Sequence, residues 1–197
     1  MFGRTPRIRR VSSAKSQMNS LPVPAFEEYT ARIAAGAVTF GVEYRHLDEA
    51  VILAYYGPDA RAKFDDKAPA GLDGPVEEDG LSLHVFGTRD GAEVLRFDCF
   101  DDAAHYHLLD PTGPTNTVFD HDRAKDGPLL DWALRTLRTG LPELLERAGA
   151  SELARAVEPA VVAAALECVA VECARMQAAG APVRVAPPPS AATASPS

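Results

Sequence analysis

Two histidines separated by one residue, His105 and His107, end the stretch from Leu81 to Pro111 that concentrates this chain's chemistry. His84, Arg96 and Asp98 precede them in the same stretch. On a strand, residues two apart point the same way and lie about 7 Å apart along the chain, at ~3.3 Å per residue. Imidazoles that close can converge on one divalent transition metal, the candidate cofactor. His84 or Asp98 from a neighbouring strand would complete three ligands and leave a position open. A second chemistry needs no metal: Asp98 orients the imidazole of His107 as general base, and Arg96 holds a phosphate or carboxylate. The plainer reading is a solvated sheet surface, on which an Arg–Asp pair and strand histidines do no more than support the strands.

Which side chains share a face depends on strands and turns. Leu81, Leu83 and Val85 alternate with Ser82, His84 and Phe86, and Leu95, Phe97 and Cys99 alternate with Arg96, Asp98 and Phe100. A two-residue Asp90-Gly91 turn places His84 on the same face as Phe97, whereas a three-residue Arg89-Asp90-Gly91 turn with Gly91 as the bulge sets it opposite Arg96. The apolar pattern selects the second, because one face then holds the six apolar residues together. A four-residue loop, Asp101 to Ala104, pairs Phe100 with His105 and Asp98 with His107. Tyr106 and Leu108 then join the core. The opposite face carries His84, Phe86, Arg96, Asp98, Phe100, His105 and His107.

The flanking elements are read by the same rules. Pro24 to Ala35 is expected to be a short helix ended by Gly36, and Val38 to Tyr44 a half-buried strand. Asp48 to Tyr56 reads as a short strand or a helical turn, and 57–80 as a long surface loop anchored by Phe64. After the meander comes mostly loop, with Val118-Phe119 as a short strand. A helix starts at Gly127-Pro128 and is expected to break at Gly140 and Pro142. Ser151 caps a last helical region that runs to Ala179, interrupted at Pro159, with Val161, Val162, Leu166, Val169, Cys173 and Met176 as its apolar side. Trp132 reads as a core anchor, and His46 and His121 as solvated bystanders, although His121 would join a metal site if its loop folded back.

Strands first and helices last, without βαβ alternation, give an α+β fold: an antiparallel meander sheet with C-terminal helices on one face. The expected organisation is a basic, disordered arm over 1–20 and one domain over 21–180, with its sheet at 36–120 and helices at 127–180. A disordered Pro/Ala/Ser tail follows at 181–197. Arg4, Arg7, Arg9, Arg10 and Lys15 make the arm basic, so the net charge of −8 places an acidic body behind it. An acidic body does not suit a phosphate backbone, and nucleic acid is not an expected partner. No apolar run is long enough for a bilayer, so no membrane partner is expected. Three cysteines, with no zinc-module spacing and an odd count, read as small buried hydrophobes in a reducing cytoplasm. The alanine-rich last helix suits a close contact between two copies, so the expected partner is a homodimer mate through the C-terminal helices or another protein.

Three resemblances attach to these residues. Arg96-Phe97-Asp98-Cys99-Phe100 followed by His105-Tyr106-His107 is similar to the signature of an uncharacterised bacterial domain-of-unknown-function family, a resemblance that implies no activity. The order Arg-Phe-Asp, His-x-His and amphipathic helix resembles small toxins of bacterial toxin–antitoxin pairs of the TumE type. It implies a metal-independent nuclease using Arg96, Asp98 and His107. The His-x-His resembles cupins, but Leu108-Leu109-Asp110-Pro111 departs from the cupin pattern and the fold is not carried over. The reading adopted is a binding or accessory protein with a small-ligand or metal site on the His/Asp face. A metal-dependent enzyme and the nuclease are the alternatives.

Overall fold

Period two in the sequence becomes seven antiparallel strands in the computed structural model, which describes residues 16–58, 77–100 and 104–180. The strands are β1 (Ser16–Met18), β2 (Ala31–Ala35), β3 (Val38–Asp48), β4 (Glu77–Gly87), β5 (Glu93–Phe100), β6 (His105–Leu109) and β7 (Asn116–Asp120). Strands β2 to β7 pair in sequence order, and β1 closes the sheet against β7. The helices are α1 (Glu49–Tyr56), α2 (Arg123–Asp126), α3 (Leu129–Arg147), α4 (Ser151–Ala156) and α5 (Pro159–Ala179). The architecture is the expected α+β. No helix among the described residues is long and apolar enough to cross a membrane.

Several boundaries differ from the expected ones. The sheet begins well before residue 36, because Ser16–Met18, expected in the disordered arm, pairs with Asn116–Val118. The helix expected at Pro24–Ala35 is one 3-10 turn, Glu27–Tyr29, followed by β2. Gly36 does not end a helix; it takes φ +70° in the two-residue hairpin that pairs Ala35 with Val38. Asp48 to Tyr56 resolves as a helix, since the Asp48 carboxylate accepts from the Val51 N–H at 2.9 Å. β4 already starts at Glu77, inside the expected loop. The basic residues from Arg4 to Lys15, Phe64, the turn residues Asp101 to Ala103 and the tail 181–197 lie outside the described residues.

One face of the sheet is packed as predicted. Leu81, Leu83, Val85, Leu95, Phe97, Tyr106 and Leu108 join Leu137, Leu141, Leu145, Leu166 and Val169 of the helices in one core, with Cys99 and Trp132 against it. α3 runs through Gly140 and Pro142 unbroken. Proline there cannot donate to the Arg138 carbonyl, but Arg138 lies on the exposed side, where water can satisfy it. α4 and α5 do separate ahead of Pro159, which sits in the first turn of α5. Ser151 lies inside α4, after its Ala150 cap. Val161 and Cys168, expected to be buried, are exposed on α5.

The second face is covered as well, which the sequence reading did not foresee. Residues 19–30 cross it as an irregular strap, bent at 19–20 and 23 and ending in the 3-10 turn, and with α1 they form a small second core of Val23, Leu47 and Phe100 backed by Phe26, Val51, Ile52 and Tyr56. Pro22 and Pro24 carry no amide hydrogen, and the strap meets the sheet through the carbonyls of Ser20, Val23 and Pro24 rather than as a strand.

Two glycines sit at close approaches, Gly41 beneath the strap residue Thr30 and Gly80 against the neighbouring strand β5. A Cβ on Gly41 would stand 2.8 Å from the Phe86 ring and 2.9 Å from the Thr30 methyl. Gly80 takes φ +153°, and its Cβ would stand 2.9 Å from the Cys99 carbonyl oxygen. Gly91, at φ +70°, has open space around it. Alanine scanning read by urea denaturation should therefore rank the three. Gly91→Ala should cost only the left-handed backbone term, about 1–2 kcal/mol. Gly80→Ala should cost ~3 kcal/mol or more, because strain and a clash with rigid backbone combine. Gly41→Ala should fall between, since side chains can yield.

Candidate metal centre

The β4–β5 hairpin sets the site. His84 pairs with Arg96 and Leu83 with Phe97, the predicted parity. It is reached by a different device: Thr88 to Gly91 form the turn, and the register shift lies between Val85 and Phe86, opposite Val94. Gly91 supplies positive φ but is not the bulge. The bulge puts both Val94 and Leu95 in the core and turns Glu93 onto the face of Arg96, three residues away. The next pairing also differs, by two residues. Asp98 pairs with His105 and Arg96 with His107, rather than Phe100 with His105. An even slip conserves the faces, so the predicted set still gathers on one side.

Asp98 is the centre of that set. Its Oδ2 lies 3.2 Å from His107 Nε2 and 3.4 Å from His105 Nε2, and its Oδ1 accepts from the Ser82 hydroxyl. One ligand atom from each of Asp98, His105 and His107 lies within 4.8 Å of the others. Ligand atoms ~2.1 Å from a shared ion would be ~3.0–3.4 Å apart. Asp98 and His107 are buried, while a fifth of the His105 side chain reaches solvent, at 20%.

His84, the alternative to Asp98 as third ligand, is committed elsewhere. Its Nδ1 lies 2.6 Å from Glu93 Oε1 and its Nε2 3.3 Å from Glu43 Oε2. Arg96 is held by the same Glu93, its Nε at 2.8 Å from Oε1 and its Nη2 at 2.5 Å from Oε2. His121 stays apart, with Nε2 2.6 Å from the Gly127 carbonyl oxygen and its ring against Trp132. His46 is no bystander: its Nδ1 lies 2.6 Å from Asp79.

Sequence reasoning missed Glu43, Arg45, Ser82, Glu93 and Asn116, all of which face this network. Glu43 and Arg45 alternate with Val42 and Tyr44, so period two alone places them on the outer side of β3, where the strap covers them. Glu93 was beyond a period-two reading because the bulge re-aims it. Asn116 lies on β7; its side chain meets His107.

Burial alone would push the Asp98 carboxyl up, but the His107 contact and the charges of Arg96 and His105 hold it well below the usual carboxylate range. Glu93 follows the same pattern: burial raises it, and Arg96 and His84 outweigh burial and leave it low. Its charge in turn holds Arg96 high against the opposing effect of burial. For Arg45 burial dominates and lowers the guanidinium, with the Arg96 charge adding to it. Glu78, on the same face of β4, is raised by burial against the pull of His105.

Both depressed carboxyls bind protons more weakly folded than unfolded, where carboxylates titrate near ~4. Their stabilisation is therefore complete above about pH 5 and lost as pH falls below ~4 toward the folded values. Urea unfolding at a series of pH values should show a plateau and then a decline. Each group contributes up to ~1.4 kcal/mol per pH unit to that slope. Glu93→Gln should make the decline shallower. An unchanged slope would mean Glu93 is not depressed.

No curated protein and no solved structure matches the chain. Residues 32–173, which span β2 to most of α5 and include Asp98, His105 and His107, match the domain of unknown function DUF7700. The chain belongs to that family.

Proposed function

We propose that the chain is a binding or accessory protein that holds one divalent transition metal on Asp98, His105 and His107. The observation that carries this reading is the protonation pattern that Asn116 imposes. Asn116 Nδ2 donates to the Ser20 carbonyl, which can only accept, so Asn116 Oδ1 must be the atom facing His107 Nδ1 at 3.0 Å. His107 Nδ1 therefore carries its hydrogen, and in the neutral ring Nε2 presents a lone pair to the Asp98 carboxylate at 3.2 Å. Two acceptors facing each other repel unless a cation lies between them. A hydrogen-bonded Nδ1–H with a free Nε2 is the usual condition of a metal-bound imidazole.

The surrounding charge favours the same occupant. Glu43, Glu78, Glu93 and Asp98 put four acidic side chains on this face against the two guanidiniums of Arg45 and Arg96. Two imidazoles and one carboxylate with further positions open suit Zn2+ or Fe2+. The partial exposure of His105 is the side from which a small ligand reaches the ion. The competing occupant is a proton, which would make His107 an imidazolium paired with Asp98. The nuclease alternative gains no support, because its general base, His107, is only 5% exposed and turns Nε2 to Asp98 rather than to a substrate.

Metal analysis after chelation and reloading tests this. We expect one equivalent of Zn2+ or Co2+ per chain, with visible Co2+ absorption. Binding should be lost in His105→Ala/His107→Ala, and weakened ~10–100-fold in Asn116→Ala. Absence of bound metal, with thermal stability unchanged by added Zn2+, would assign the space between Asp98 and His107 to a proton.

A further inference from the structure

Arg45 is a buried cation whose hydrogen bonds go to neutral oxygens alone. Its Nη2 donates to the carbonyls of Val23 and Pro24, both at 3.0 Å, and its Nε and Nη1 have no protein acceptor. The Glu43 carboxylate approaches Nε only to 3.8 Å. Arg96 Nη1 donates to the same Val23 oxygen at 2.6 Å. Two guanidiniums, each 1% exposed, thus converge on one peptide oxygen. Planar guanidinium forks are matched by carboxylate or phosphate oxygens, and charge-assisted bonds are roughly twice as strong as neutral ones.

We propose that the Val23–Pro24 carbonyls are an internal plug in an oxyanion site formed by Arg45 and Arg96, and that a small phosphate or carboxylate anion binds there by displacing the strap. The strap is suited to exchange. It is fixed by contacts from separate elements: Asn116 to Ser20, Tyr56 to Leu21 at 2.9 Å, the arginines to Val23 and Pro24, and Glu43 accepting from the Phe26 N–H at 3.3 Å. Prolines at 22 and 24 deny it the strand ladder that would make docking permanent. Leaving removes Val23 and Phe26 from the second core, so a bound anion must also offset that lost apolar burial. The anion supplies the charge that the Arg45 donors lack.

Hydrogen exchange of the strap amides, followed by mass spectrometry in rising inorganic phosphate at fixed ionic strength, tests the proposal. It should be run on chelated protein and on protein offered one equivalent of Zn2+. Exchange over residues 20–30 should rise saturably with phosphate and not with chloride, and succinate in a parallel arm decides whether carboxylates serve as well. Arg45→Gln should abolish the response. Tyr56→Phe, which removes the Leu21 contact but leaves both arginines, should move the phosphate midpoint lower by roughly 5-fold, since less strap competes. Wild type and Tyr56→Phe that respond to phosphate no more than to chloride would overturn the proposal, as would a folded Arg45→Gln that responds like wild type. If Arg45→Gln does not fold, the Tyr56→Phe shift decides. A response in chelated protein stands even if no metal binds at Asp98, so the two readings fail separately.

Discussion

Charges taken out of water must be paired or they unfold the chain, and this requirement organises the second face of the sheet. Glu43, Arg45, Ser82, His84, Arg96, Asp98, His107 and Asn116 are all buried there. No single pair accounts for them. Glu93 answers both His84 and Arg96, and Asp98 answers Ser82, His105 and His107. The strap adds the carbonyl oxygens of Val23 and Pro24 but leaves Arg45 Nε and Nη1 without an acceptor. The helical face is an ordinary apolar core that would hold many sequences. The polar face accepts few, because removing one partner strands another in a dry environment.

The strap and the candidate centre are therefore not independent. Asn116 touches both, since it donates to Ser20 and accepts from His107. Arg96 lies opposite His107 in register and reaches Val23. The surroundings of Asp98 and His107 thus include residues that come from the N-terminal side of the chain and from β7. The matched family region begins at residue 32, so the strap lies before it, whereas Asn116 lies within it.

Much of the fold and part of the site could be read in the sequence, for one reason. Alternation is a strong signal, and the gathering of His84, Arg96, Asp98, His105 and His107 required only parity. Parity survived two errors of detail, the bulge at Val94 in place of Gly91 and the two-residue slip between β5 and β6. What could not be read was whatever depends on a neighbour distant in sequence. Residues 24–35 have helical spacing in isolation, yet Ala31–Ala35 is more stable as the edge partner of β3. Glu43 and Arg45 look like the wet side of a strand until residues 19–30 are laid over them. Pro142 signals a break, but α3 is long enough and wet enough at that point to continue.

The bulge at Val94 also limits how this family can vary in length. The β4–β5 loop is exposed, with open space around Gly91, and such tips are where insertions and deletions usually accumulate. An insertion confined to that tip lengthens the loop and leaves the pairing of His84 with Arg96 as it is. A residue gained or lost inside the paired strand, between Glu93 and Leu95, has no such slack: the bulge must take it up, or Arg96 and Asp98 exchange faces with Leu95 and Phe97.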